Sequence, residues 1–370
     1  MISPASGAQP TQHQITGASP HRQVRWGRYV AGFLLRYLAV LLGASLLIFI
    51  LLALVPGNPA AVSLGVHATE EDIAALSTKM GFDAPWWQRY LTWLTGMLTG
   101  DFGTSLASQT PITPTLFDRL HVTLIIVGLA MLLACIFAIP LGIYSARRNG
   151  RFDAQLLTIA SQLGLAIPSF FAGILAIAFF GIALGWLPTG GWIIPASNPE
   201  AFARHLILPV GCLAFMQAAI VTRYVRVQTL ELLQADFIRT SRALGAGPWE
   251  VLWRHGFRAM APAILNTIGV QSASLLIGAV LVEEVFVIPG IGQYLLEAVA
   301  QRDLPVIQAV LMVLVFIALT INTLVDASQR VFHPRTRNSQ GFHAAQAASI
   351  VTNASVTDTT SSTKTIKVVS

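Results

Sequence analysis

The sequence predicts an all-α membrane protein with six transmembrane helices and with both termini in the cytoplasm. The first reason is composition, because 54% of the 370 residues are hydrophobic and only 11% are charged, whereas soluble globular domains carry about 25% charged residues. The second is that six apolar stretches are long enough to cross a hydrocarbon core, which requires about 20 helical residues. The third is the uneven distribution of arginine and lysine between the connecting segments.

The six apolar stretches are separated by polar connections, and each is predicted to form one helix. They are residues 33–55, 122–146, 156–184, 206–222, 261–282 and 304–325. The first follows several arginines, but its apolar run exceeds the roughly 7 to 15 residues of a signal peptide, so it is predicted to be an uncleaved anchor. The fourth is the shortest and is expected to continue as helix past Arg223 and Arg226.

The basic residues fix the predicted orientation of these helices. With the N-terminus placed in the cytoplasm, 18 of the 23 basic residues lie in inside segments and 5 lie in outside segments. Cytoplasmic loops carry the excess of basic residues in membrane proteins, so the opposite orientation would violate this rule. The net charge of +6 is thereby explained by topology, and it requires no nucleic-acid partner.

The predicted spans divide the chain into four regions. Residues 1–28 and 338–370 are rich in small and polar residues and are predicted to be disordered cytoplasmic tails. Residues 29–119 comprise the first transmembrane helix and an extracytoplasmic segment. Residues 120–337 form the membrane core, which includes a polar cytoplasmic segment at 223–258.

Two short helices are predicted within the extracytoplasmic segment. One begins at Thr69, which would cap it with Asp72 as an acidic partner three residues later. The other covers residues 86–94, and its aromatic, amphipathic sequence is typical of a helix that lies at a bilayer surface.

The polar segment at 223–258 stands out because it is arginine-rich and lies between two long apolar stretches. Phe237, Ser241 and Leu244 recur at helical spacing, whereas glycines and a proline at 245–248 interrupt the run. The pattern predicts two short amphipathic helices that are broken by a glycine turn.

This segment is similar to the cytoplasmic coupling segment of ABC-importer permeases, specifically of the dipeptide, oligopeptide and nickel branch. Other motifs resemble that family in the same order along the chain. They are Leu-Val-Pro-Gly-Asn-Pro at 54–59, Gly-Phe-Asp-Ala-Pro at 81–85, Gly-Asp-Phe-Gly-Thr-Ser-Leu at 100–106, Ile-Pro-Leu-Gly at 139–142, Ile-Pro-Ser-Phe at 167–170, Leu-Pro-Thr-Gly-Gly at 187–191 and Val-Phe-Val-Ile-Pro-Gly-Ile-Gly at 285–292. The resemblance covers roughly residues 30–337 and departs from the family pattern at Ser241, Leu244 and His333.

The resemblance implies a permease subunit with a type I importer fold, which moves di- or oligopeptides across the bacterial inner membrane by alternating access. It implies four partners besides the lipid membrane: a homologous second permease, two ATP-binding subunits that use ATP and Mg²⁺, and an extracytoplasmic solute-binding protein. A nickel chelate, glutathione or another small solute is an alternative cargo. A passive channel or membrane scaffold is an alternative of a different class, although a channel has no need of a coupling segment.

The chain is expected to be neither an enzyme nor the holder of a cofactor. A phosphate-binding loop would end in Gly-Lys-Ser/Thr, but the three lysines, Lys79, Lys364 and Lys367, do not follow glycine. The spans are almost free of the acidic, histidine and lysine side chains that ion-coupled carriers place in mid-membrane. Cys135 and Cys212 lie inside predicted spans and suggest neither a disulfide nor a metal site. ATP hydrolysis is therefore expected to occur in a partner subunit.

Five residues are expected to couple the chain to that ATPase. Arg239 and Arg242 are three apart on one helix and could pair with acidic groups of the partner. Ala243 and Gly245 would allow close backbone approach and a sharp turn, and Leu244 would enter a groove as an apolar knob. The alternative is that the arginines only satisfy the orientation rule and bind lipid headgroups.

A second candidate site follows the fifth span. Glu283 and Glu284 are adjacent on a helix, so their side chains point about 100° apart and at most one of them can face a pathway. Together with Pro289 and Gly290 they are candidates for an external gate or a receptor contact. The alternative is an interfacial cap that is solvated by water.

Overall fold

The computed structural model describes residues 26–55, 61, 69–79, 81, 83–245, 247 and 256–332, which are helical with short connections and contain no strand. Within them lie eleven α-helices and one π-helical segment, Ile177–Ala183. The α-helices are α1 (Trp26–Ala53), α2 (Glu70–Lys79), α3 (Trp86–Thr99), α4 (Ile112–Arg147), α5 (Phe152–Ala166), α6 (Ser169–Ala176), α7 (Pro199–Gln234), α8 (Asp236–Ala243), α9 (Phe257–Val285), α10 (Ile291–Ala300) and α11 (Leu304–Phe332). The predicted tails lie almost wholly outside the described residues.

Five helices are long and apolar enough to cross a membrane, which confirms five of the six predicted spans. They are Ala31–Ala53, Ile112–Arg147, Pro199–Gln234, Ala259–Val285 and Leu304–Gln329. The fourth predicted span does continue as helix past Arg226, since α7 ends only at Gln234.

The third predicted span is not the single helix that the hydropathy of residues 156–184 indicates. It consists of α5 and a second arm, Ser169–Ala183, which are bent by 97° relative to each other. The break lies at Ile167 and Pro168, where Ile167 has extended backbone angles of φ −94° and ψ 115°. A residue that precedes proline is sterically disfavoured in the helical region, which explains why α5 ends here.

The chain divides into two compact units, Met1–Val40 and Leu41–Ser370. The described part of the first unit is the beginning of α1, where Leu34, Leu35 and Leu38 are exposed. Apolar side chains on the outside of a membrane-spanning helix can face lipid, so this exposure fits a membrane anchor.

The second unit is built around the pair α4 and α7. At Gly142 of α4 the two backbones approach closely, since an added Cβ would lie 2.7 Å from Val225 Cβ and 2.9 Å from the Thr222 carbonyl oxygen. Small residues permit such approach between helices in lipid, where dispersion contacts replace the hydrophobic effect. Gly142 is therefore a packing residue.

The core of this unit consists of three clusters along the helices. The central one is built around Ile126, Leu213 and Phe286. A second, which includes Val225 and Ile264, lies at the end that carries α8. The third, which includes Ile112, Ile291 and Val310, lies at the end that carries α10.

The two helices predicted in the extracytoplasmic segment are present. Thr69 caps α2: the Asp72 backbone N–H donates to Thr69 Oγ1 at 3.2 Å, and the Thr69 hydroxyl donates to Asp72 Oδ2 at 2.6 Å. That hydroxyl hydrogen bond holds the pKa of Asp72 below its ordinary value. In α3, Trp86 and Trp87 are exposed, while the Tyr90 hydroxyl lies 2.8 Å from Ser45 Oγ of α1.

Candidate functional site

Helix α8 is fixed to the bundle by one buried side chain. It begins two residues after α7 ends, and Ile238 is only 1% exposed in a cluster with Leu232, Met260 and Ile264. Phe237 and Arg239, on either side of Ile238, are exposed. The helix is thus held firmly on one face and open on the other.

Helix α8 and the turn after it expose four of the five residues that the sequence analysis selected for coupling. Arg239, Ala243, Leu244 and Gly245 are all exposed, and Leu244 is 83% exposed. Gly245 has φ +87°, a left-handed conformation that favours glycine. The side chain of Arg242 and residues 248–255, where the second short helix was predicted, lie outside the described residues.

The chemistry of this exposed surface suits protein contact. Leu244, directly after α8, presents an apolar side chain whose burial in a partner would contribute about 1.5–3 kcal/mol, and Arg239 adds a positive charge from within the helix. We call residues 236–245 the α8 surface.

The second candidate site lies at the opposite end of the bundle, and the structure separates its two glutamates. Glu284 is exposed, whereas Glu283 is completely buried, with 0% exposure. The Glu283 carboxylate accepts from Thr123 Oγ1 at 2.5 Å and from the backbone N–H groups of Gly292 at 2.7 Å and Gln293 at 3.3 Å. The Thr123 hydroxyl in turn accepts from the Ile291 N–H at 2.8 Å.

Glu283 therefore caps α10 from a neighbouring helix. The first N–H groups of a helix lack partners within it and carry the positive end of the helix dipole, and the buried carboxylate satisfies two of them. Of the two sequence-based alternatives for this residue, a water-solvated cap is wrong, because Glu283 is enclosed by protein. Glu284 is the member of the pair that faces outward.

Two glycines leave the space that the Glu283 carboxylate fills. An added Cβ at Gly290 would overlap that carboxyl group, and one at Gly292 would overlap Val280 Cα and lie 2.8 Å from Glu283 Oε2. Gly290 belongs to the candidate site for this steric reason, and Pro289 is half-buried beside it.

Asp303 is a second buried carboxylate, which the sequence analysis did not select. It is 2% exposed and accepts from Ser105 Oγ at 2.5 Å and from the N–H groups of Leu106 and Ala107, both at 3.2 Å. It also accepts from the Val306 N–H in the first turn of α11, at 3.4 Å. The available signal was an aspartate directly before an apolar helical run, which is an N-cap pattern.

Arg119 of α4 secures the exposed side of α10. Its guanidinium donates to Gln293 Oε1 at 3.1 Å, lies 3.8 Å from Glu297 Oε2 and sits 5.8 Å from the centre of the Tyr294 ring. With Glu283 at its N-terminus and Asp303 just beyond its C-terminus, α10 is fixed to α4, α9 and α11. We call this arrangement the α10 anchor.

The described residues of the two sites do not form a metal centre. In the part of the chain that the structure describes, no three His, Cys, Asp or Glu side chains converge as metal ligands would. The carboxylates of the α10 anchor accept hydrogen bonds from backbone N–H and hydroxyl groups, so their role is structural.

Comparison with protein-family models gives two matches that follow one another along the chain. Residues 28–127 match the N-terminal model of binding-protein-dependent transport system membrane components. Residues 138–338 match the model of the binding-protein-dependent transport system inner membrane component.

Individual relatives match over nearly their whole length. A probable peptide ABC transporter permease of Sinorhizobium fredii is 35% identical over 84% of this chain and 99% of its own. An oligopeptide transport system permease of Bacillus subtilis is 34% identical over 83% of this chain and 98% of its own. A dipeptide transport system permease of Alkalihalophilus pseudofirmus is 34% identical over 84% and 99%, respectively.

A solved structure shares the fold. One chain of the methionine ABC transporter MetNI, crystallised in an inward-facing conformation, matches with a TM-score of 0.50 at 18% identity, over 59% of this chain and 96% of its own. The shared fold confirms the all-α membrane architecture predicted from the sequence.

Proposed function

We propose, from the premise that this chain belongs to the family of binding-protein-dependent transport system inner membrane components, that it is the permease subunit of an ATP-driven peptide importer. A member of this family is a multi-pass protein of the bacterial inner membrane, and its role is transport rather than catalysis. The named relatives that match over almost their full length are peptide, oligopeptide and dipeptide permeases, which supports peptides as the cargo.

The α8 surface is the observation that carries this proposal. A passive channel gains nothing from a short polar helix that is anchored by Ile238 and followed by an 83% exposed leucine. An ATPase subunit that bound Leu244 and the nearby arginines could move α8, and Ile238 would transmit that movement to the core through α7 and α9. ATP and Mg²⁺ would be used by two such subunits, each seated against one of two homologous permeases.

The α10 anchor is suited to the other step of alternating access, in which the permease receives substrate from the docked solute-binding protein. A solute-binding protein that docks on the outer side needs a surface that moves together with the transmembrane helices. Helix α10 is fixed to α4, α9 and α11, so a force that a docked protein exerts on α10 would be transmitted to all three spans. In this scheme Glu284, Pro289 and Gly290 lie at the external contact, and Glu283 holds the contact in position.

Peptide uptake in cells tests the proposal directly. A strain that lacks this chain should lose uptake of a labelled tripeptide and regain it when the chain is restored, while uptake of labelled nickel and of glutathione should not change. Tripeptide uptake that is unaffected by the deletion, together with lost nickel or glutathione uptake, would assign the alternative cargo instead.

The proposed orientation makes a separate prediction. In a chain whose two cysteines are replaced by alanine, single cysteines at Asn149 and Thr240 should react with a membrane-impermeant maleimide only after the cytoplasmic side is opened. Cysteines at Ser108 and Asn198 should react in intact spheroplasts. All four positions are exposed, so accessibility reports the side of the membrane, and the reverse pattern would overturn the orientation.

A further inference from the structure

We infer that a cavity between α4, α5 and α7 binds the phosphate group of an anionic phospholipid. It measures about 100 Å³ and is lined by Ser145 of α4, by Thr158 and Ser161 of α5, and by Arg223 and Arg226 of α7. A buried water needs roughly 10–15 Å³ by the same kind of measure, so the cavity has room for a small polar group. The inference goes beyond peptide import, because it concerns a ligand that is not transported.

The charged donors in this cavity are guanidinium groups, and Gln162 and Thr222 add neutral polar side chains to its lining. Thr158 and Ser161 direct their hydroxyl hydrogens to backbone carbonyl oxygens four residues earlier, at 2.8 and 2.9 Å, and Ser145 donates to the Gly142 carbonyl oxygen at 3.2 Å. Arg223 and Arg226 thus supply the cationic hydrogen-bond donors of the cavity, and such donors favour an oxyanion.

Arg226 is held in place but lacks an acceptor for one of its hydrogens. Its Nη2 donates to Asn149 Oδ1 at 3.0 Å, which fixes the guanidinium plane. Its Nε is buried and has no hydrogen-bond partner among the described residues. An unpaired buried donor is rare in native proteins and calls for a ligand or a specific reason, and a phosphate oxygen would provide the acceptor.

No carboxylate neutralises these arginines in the described part of the chain. Asp153 pairs with Arg148, and Glu297 pairs with Arg119, so neither carboxylate compensates the charge of the cavity. A pocket of positive charge between spanning helices, at the basic end of the bundle, attracts anionic lipid headgroups.

The surroundings favour a lipid over a free phosphate. The cavity wall includes the apolar side chains of Leu157 and Val227, and Leu156 and Tyr224, which adjoin Leu157 and Arg223 in sequence, are exposed. Acyl chains could cover this apolar surface, whereas inorganic phosphate would gain nothing from it. A bound lipid would join α5, the first arm of the bent span, to α4 and α7.

Lipid binding by the purified full-length chain tests the inference. The chain in neutral detergent would be titrated with palmitoyl-oleoyl phosphatidylglycerol, and bound lipid would be counted by native mass spectrometry alongside the melting temperature. Palmitoyl-oleoyl phosphatidylcholine provides the matched zwitterionic lipid, and glycerol 1-phosphate provides the headgroup without acyl chains. We expect phosphatidylglycerol to bind and stabilise the chain, and the other two probes to bind at least about tenfold more weakly.

Charge-matched variants locate the site. Arg226→Gln should weaken phosphatidylglycerol binding roughly five- to tenfold, and Arg226→Lys should recover only part of it because lysine lacks the Nε donor. Arg223→Gln, at an exposed position that does not support the core, should weaken binding even if Arg226→Gln folds poorly. Arg151→Gln removes the same charge from an exposed position at the same end of the bundle and should bind as the wild type does.

Three outcomes would overturn the inference. The first is equal phosphatidylglycerol binding by wild type, Arg226→Gln and Arg223→Gln. The second is binding of glycerol 1-phosphate as tight as that of the lipid, which would assign the site to a soluble phosphate ester. The third is displacement of the lipid by a tripeptide, which would place the transported carboxylate in this cavity.

Discussion

Replacing Gly292 by alanine is expected to destabilise the folded protein by about 3 kcal/mol or more and to abolish transport. The added Cβ would overlap the backbone of Val280 in α9 and lie 2.8 Å from Glu283 Oε2. Backbone cannot move aside as a flexible side chain can, so α9 and α10 must separate, and overpacking of this kind costs about 1–3 kcal/mol. The separation also weakens the 2.7 Å hydrogen bond from the Gly292 N–H to Glu283, and hydrogen bonds to charged groups contribute about 1.5–3 kcal/mol.

Thermal unfolding monitored by size-exclusion fluorescence would measure this loss. Gly211→Ala is the matched control, since Gly211 also lies in a spanning helix but no heavy atom lies within 4 Å of its added Cβ. That control should be neutral or more stable by up to about 1 kcal/mol. A melting temperature of Gly292→Ala that equals that of Gly211→Ala would show that α9 and α10 do not pack as described.

A double-mutant cycle tests the role of Glu283 in the same contact. Glu283→Ala removes the carboxylate that Gly292 abuts, so the double variant should be less destabilised than the sum of the two single variants. Strict additivity would mean that the two residues act independently, which contradicts the α10 anchor.

Five of the six membrane spans could be predicted because hydropathy depends directly on composition. The bend in the third span could not be predicted in this way, since α5 and the arm after Ser169 are both apolar. An average of hydropathy along the sequence contains no information on the angle between two helices. The local signal was Ile167 before Pro168, but prolines also occur inside continuous spans of this chain, such as Pro140 in α4 and Pro209 in α7. Which proline ends a helix depends on tertiary packing.

The features of the candidate sites also differ in whether they follow from local sequence or from tertiary packing. The glycine after α8 and the exposed leucine beside it follow from local sequence, because helix termination and polarity are local properties. The burial of Glu283 and Asp303 does not, since their main partners, Thr123 and Ser105, lie 160 and 198 residues away in sequence. An acidic residue at the end of an apolar run is indistinguishable from a solvated one until the helices are packed together.

Replacing Gly245 by tryptophan is expected to reduce peptide uptake at least about tenfold at unchanged membrane abundance. No heavy atom of the described residues lies within 4 Å of an added Cβ at Gly245, so the substitution is expected to clash with a docked partner rather than with the described part of the chain. The left-handed backbone at φ +87° adds strain of about 1–3 kcal/mol for a non-glycine residue. If docking requires this turn, that strain alone weakens docking by roughly tenfold, and co-purification of the ATPase subunits should fall with uptake.

Gly150→Trp provides an unusually close control for this effect. Gly150 has φ +88°, an added Cβ there also meets no heavy atom within 4 Å, and it lies in the connection between α4 and α5 at the same end of the bundle. The two variants therefore share a left-handed backbone position, side-chain bulk and predicted membrane side, and differ in membership of the α8 surface. We expect Gly150→Trp to retain uptake and ATPase co-purification. Equal losses in the two variants would attribute the effect to strain, and wild-type uptake by Gly245→Trp would mean that ATP hydrolysis is coupled to this chain elsewhere than through α8.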